Sequence, residues 1–145
     1  MEEDGPKSAT PIDPQFVAID LGVPYPVNTY CDGLTDDQAG FRLYFSASNE
    51  HERVQVRFAA PLAYRKIDEG DAFRTLATLP SPPRPIAYEV FNSEFLAWFS
   101  DERYGSDPPY GCTVRHFLFL AEDDCIDVLS CDPPEVQLVP RPLRS

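Results

Sequence analysis

Sixteen prolines punctuate this 145-residue chain and leave few stretches in which a regular helix could run unbroken. Proline has no amide hydrogen and clashes with the carbonyl four residues before it, so it ends helices and is confined in sheets to edges, turns and first positions. With sixteen prolines against one methionine and seven glycines, a helical bundle or coiled coil is excluded. Hydrophobic residues make up 43% of the chain and charged residues 25%, so a packed core can form and wholesale disorder is not expected. The length suits one domain. Residues 1–14, polar and interrupted by Pro6, Pro11 and Pro14, are expected to be a flexible tail, residues 15–140 a single domain, and 141–145 a flexible C-terminus.

Between the prolines the strongest pattern has a period of two, the signature of strands with one apolar face. Phe41, Leu43 and Phe45 alternate with Arg42, Tyr44 and Ser46, and Val54, Val56 and Phe58 alternate with Arg53, Gln55 and Arg57. One set is odd-numbered and the other even-numbered, so a loop of even length is required to keep the apolar side chains on one face. A second hairpin pairs Val114–Leu120 with Cys125–Cys131 across Ala121–Asp124. Any even loop puts Phe117, Phe119, Ile126 and Val128 on one face and His116, Leu118, Leu120, Cys125, Asp127 and Leu129 on the other. Both faces carry apolar residues, which predicts a strand pair covered on both sides.

Phe16–Val23, Leu62–Ile67, Ile86–Phe91 and Glu135–Val139 read as further strands, the last at a sheet edge. Cys31–Gly40, rich in Asp and Gly, reads as turn chemistry. Two short helices are predicted, over 71–78 with Asp71 as cap and over 93–102 with Asn92 or Ser93 as cap. In the second, Phe95, Trp98 and Phe99 fall at helical spacing and form an apolar face. The expected fold is α+β: one antiparallel sheet built from the hairpins at 41–60 and 114–131, with the two helices packed near it.

The chain carries no Gly-rich phosphate loop, no nucleophile elbow and no calcium-loop pattern. His51 falls at a polar hairpin tip. His116 shares a strand face with Asp127, opposite or diagonal to it, and an imidazole oriented by a carboxylate is the core of general-base catalysis. Cys112, His116, Cys125 and Cys131 lack the tight Cys-x2-Cys knuckle of a zinc site, so no metal or other cofactor is expected. The N-terminus is acidic with no apolar stretch behind it, and no run approaches the about 20 residues that span a bilayer. These features predict a soluble cytoplasmic protein with no membrane partner and reduced thiols. The skew to ten Arg over two Lys hints at a GC-rich bacterial genome.

The formal charge of −12 argues against nucleic-acid binding, which needs a basic face. The charge is segregated: net −7 over 1–37, +2 over 38–85 and −7 over 86–145. The stretch Tyr88–Phe99, followed by Arg115–Leu120 and Asp124–Ser130, resembles a family of small uncharacterised bacterial proteins, some of them similar to the immunity proteins that accompany polymorphic toxins. That resemblance implies a binding function and supplies no catalytic residue. The expectation is therefore a non-enzymatic acidic module that masks a basic site on a protein partner through Glu122, Asp123, Asp124, Asp127 and Asp132, with Asp101, Glu102 and Asp107 as a second group. The alternatives are a small enzyme using His116 and Asp127 as base and orienter, and a structural subunit docking through an apolar patch around Trp98.

Overall fold

The computed structural model describes residues 13–81, 84–106 and 111–142. Among these residues the strands are β1 (Gln15–Ala18), β2 (Cys31–Asp37), β3 (Gly40–Ser46), β4 (Glu52–Phe58), β5 (Ala63–Asp68), β6 (Ala87–Phe91), β7 (Arg115–Leu120), β8 (Asp124–Ser130) and β9 (Glu135–Pro140). The helices are α1 (Phe73–Ala77) and α2 (Glu94–Glu102). The fold is sheet-dominated α+β, and the strands form two antiparallel sheets rather than the expected one. A five-stranded sheet runs β1-β6-β7-β8-β5, and a four-stranded sheet runs β2-β3-β4-β9.

The register of both hairpins follows from parity. Phe45 pairs with Val54 and Phe41 with Phe58, so every apolar residue of β3 and β4 faces the same way. In the other hairpin Phe117 pairs with Val128 and Phe119 with Ile126. The two apolar faces meet. Phe58 lies 5.6 Å from Phe117 and 6.1 Å from Phe119, and Phe45 lies 5.9 Å from Phe119, between ring centroids. Each of these rings is essentially solvent-free, and burial of one such side chain stabilises the fold by about 1.5–3 kcal/mol.

The opposite face of the five-stranded sheet has its own apolar layer. Tyr88, Val90, Leu118, Leu120 and Cys125 pack there with Ala72 and Leu79, which flank α1. Sheet β7–β8 is thus buried on both sides, as its two-faced apolar pattern requires. The interleaved polar residues of that outer face, His116 and Asp127, are carried into the same buried layer.

Three local expectations are corrected. Cys31–Asp37 is an edge strand, not a turn: its Asp-Gly step is absorbed by a bulge between Cys31 and Gly33, and Leu34 packs on the core. The turn is only Gln38–Ala39, closed by Gly40 at φ 109°, where a Cβ would come within 3.1 Å of the Phe58 carbonyl. Asp71 does not cap α1. It belongs to a 3-10 turn, Glu69–Asp71, capped by the Asp68 carboxylate on the Gly70 amide. Cys112 and Cys131 form a disulfide with a Cα separation of 5.7 Å, so these two thiols are not the reduced pair expected. Among the described residues no helix is long and apolar enough to cross a membrane.

Candidate active site beneath the second helix

The site begins where β6 hands the chain to α2. Asn92 takes φ 57°, a left-handed conformation that Asn tolerates better than most residues, and turns the chain sharply out of the sheet. Ser93 follows in extended conformation as the N-cap, its Oγ accepting the Leu96 amide at 3.0 Å. A strand, a strained turn and a helix start therefore fix one hydroxyl above the outer face of the five-stranded sheet.

Beneath it lie His116 and Asp127. His116 pairs with Leu129 across the hairpin, which makes Asp127 its diagonal neighbour on the same face. Ser93 Oγ lies 2.6 Å from His116 Nδ1, and His116 Nε2 lies 2.5 Å from Asp127 Oδ1. With the Nε2 proton donated to Asp127, Nδ1 presents its lone pair to the Ser93 hydroxyl. The second carboxylate oxygen, Oδ2, accepts from Arg65 Nε at 2.9 Å, because β5 pairs Arg65 directly with Asp127. Burial works to raise the Asp127 pKa, but the His116 and Arg65 bonds outweigh it and hold the carboxyl below its ordinary value. The result is a continuous chain: Ser93, His116, Asp127, Arg65.

Aromatic packing fixes the ring and the guanidinium. Phe95, the buried residue of α2, meets His116 edge-on at 5.6 Å, and the Arg65 guanidinium carbon sits 4.4 Å above its ring. Trp98 stacks on Phe95 at 5.6 Å yet stays half exposed, so the predicted apolar face of α2 is buried at Phe95 and open at Trp98.

The chain of hydrogen bonds opens on a cavity of about 310 Å³. Ser93, His116, Asp127 and Arg65 line it with Phe16, Val90 and Phe95 as apolar wall. That volume is at the lower end for small-molecule sites. A larger depression of about 1010 Å³ at the β3–β4 hairpin tip contains His51, which is exposed and shows no side-chain hydrogen bond among the described residues. The second hollow is the larger, but the first is the one lined by the hydrogen-bonded Ser93–His116–Asp127–Arg65 chain.

The acidic residues singled out by sequence are not brought together. Asp127 is internal to the chain just described, and buried Asp124 is paired with Lys66 Nζ at 2.8 Å. Glu122 and Asp123 are exposed at the β7–β8 tip, with an Asp123 oxygen 3.4 Å from the Cys31 amide. Asp132 is exposed beyond the other end of β8, roughly 20 Å away along an extended strand. Asp101 and Glu102 are exposed in the last turn of α2, and Asp107 lies outside the described residues. The disulfide takes two of the four side chains weighed as a zinc set, and among the described residues no cluster of His, Cys, Asp and Glu could hold a metal.

Sequence reasoning reached the His116–Asp127 pair and the cap at Ser93, but not the contact between Ser93 and His116, and it missed Arg65. The joining signal is weak: a cap hydroxyl at the mouth of a strand–helix turn, beside a strand whose outer face carries a lone histidine. No family model, curated protein or solved structure significantly matches the chain.

Proposed function

We propose that this protein is a small serine hydrolase acting on an ester or similar acyl compound, with Ser93 as nucleophile, His116 as general base and Asp127 as orienter. The observation that carries the reading is the unbroken Ser93–His116–Asp127 hydrogen-bond chain opening on a cavity. A hydroxyl is a weak nucleophile until a neighbouring base takes its proton, and an imidazole does so best when a carboxylate holds it in one tautomer. Here His116 accepts the Ser93 proton at Nδ1 as Oγ adds to the acyl carbon, and ionised Asp127 stabilises the imidazolium. The imidazolium then protonates the leaving group, and water activated by the same ring releases the acyl group from Ser93. The Glu94 and Phe95 amides, first in α2 and left without intrahelical partners by helix geometry, are the donors assigned to the oxyanion in this reading.

Labelling with a fluorophosphonate probe tests the assignment. The expected result is one adduct on Ser93, located by peptide mass spectrometry, with labelling lost in Ser93→Ala and reduced at least about 100-fold in rate in His116→Gln. A folded protein that leaves the probe unreacted and turns over no short-chain ester ends the reading.

A second reading, the acidic module docking on a basic protein, draws on one observation. Asp101 and Glu102 occupy the last turn of α2 with no basic residue within it, where the helix dipole disfavours negative charge. Carboxylates kept there at a cost are available to a cationic partner. Affinity capture with the wild type and with Asp101→Lys/Glu102→Lys tests it: a basic partner lost at high salt and in the variant supports docking, and capture insensitive to both rejects it.

A further inference from the structure

Arg65 is held on two sides and open on the third. Its Nε is bound to Asp127, and its guanidinium carbon lies over the Phe95 ring. Neither Nη atom has a partner among the described residues, and the side chain is half exposed on the cavity wall. A guanidinium fixed in this way presents two parallel N–H donors in a fork that matches a carboxylate, with little ordering left to do on binding. The carboxylates already present in the cavity are largely matched: Asp127 by His116 and Arg65, and Glu94 by Arg74, with exposed Asp13 as the third. Of the remaining lining residues, Pro14, Phe16, Val90 and Phe95 are apolar and Thr75 and Thr78 are polar.

We infer that the substrate carries a free carboxylate, bound by the Nη edge of Arg65, joined through a short apolar spacer to the acyl group attacked by Ser93: a half-ester of a dicarboxylic acid. The inference rests on the hydrolase reading above and adds the substrate class to it. Arg65 then has two roles, positioning Asp127 through Nε and selecting the substrate through its outer nitrogens.

Hydrolysis of monomethyl glutarate and of methyl butyrate, compared by kcat/KM, provides the test. The expected result is a preference of about tenfold or more for the half-ester, the scale of a charge-assisted hydrogen bond. Arg65→Lys keeps the positive charge and removes the fork, so it should bring the ratio close to one. The ratio cancels any effect of the substitution on the relay itself. Equal turnover of both esters, or a preference that survives Arg65→Lys, overturns the carboxylate assignment and leaves Ser93 in its role. If neither ester is hydrolysed, the hydrolase reading fails, and a calorimetric titration with glutarate decides the carboxylate site. Binding to wild type lost in Arg65→Lys upholds that site, and absence of binding overturns it.

Discussion

Asp127 is the residue on which the site turns, because each of its oxygens holds a different neighbour. Its carboxyl is held below the ordinary range in the folded protein, so its contribution to stability is fully present above the unfolded value near pH 4 and is lost as pH falls through the folded value. Asp127→Asn should destabilise at pH 7 by about 2–3 kcal/mol, less than the loss for a fully enclosed pair because Arg65 can turn to water. Urea midpoints at pH 7 and pH 3 check this: the wild type should fall between the two and the variant should fall less. Ser93→Ala should cost about 1 kcal/mol through the lost cap, so its stability has to be measured beside its activity. The two free thiols contrast with such responsive groups. Burial pushes Cys31 up to about 11 and Cys125 up to about 12. Neither should react readily with iodoacetamide in the native protein at pH 8, which mass spectrometry can count.

At the scale of elements, the β7–β8 hairpin carries both His116 and Asp127, and the Cys112–Cys131 bond ties its open end. His116 sits one pair inside the Arg115–Ser130 pair that begins the ladder, so fraying from that end reaches it almost at once. For a 19-residue separation, cross-linking stabilises by about 3 kcal/mol in the chain-entropy account. Reduction should therefore lower the melting temperature, and a thiol titration of the denatured chain should find two thiols before reduction and four after it. The hairpins were legible in the sequence because alternation and loop parity fix which side chains share a face. The diagonal His116–Asp127 relation followed from the same rule. Arg65 was not legible, since only the β5–β8 pairing places it, and no local pattern specifies a partner about 60 residues away. Ser93 was readable as a cap, but its second contact depends on how α2 lies across the sheet.

For the whole molecule, period-two patterning says which face of a strand is apolar but not which sheet the strand joins. That is why one sheet was expected where two are packed face to face. β9 was correctly read as an edge, yet it lies beside β4 in the smaller sheet and not beside its chain neighbour β8. The phenylalanine contacts between the sheets predict a steep contrast. Phe58→Ala, which empties the contact with Phe41, Phe117 and Phe119, should cost about 3–5 kcal/mol, whereas half-exposed Trp98→Ala should cost much less. Chemical denaturation of the two variants side by side measures the difference. Opposite the helices, the outer face of the smaller sheet is polar, with Arg53 laid over the Tyr44 ring at 3.6 Å and Arg57 paired to Glu135.

The Ser93 oxygen that would attack a substrate is also the one that anchors the start of α2. An acyl group on that oxygen turns it into an ester, a poor acceptor, and the Leu96 amide loses its hold. Each turnover would then briefly loosen the first turn of the helix, so that faster hydrogen exchange at Leu96 becomes a clock for the acylated state.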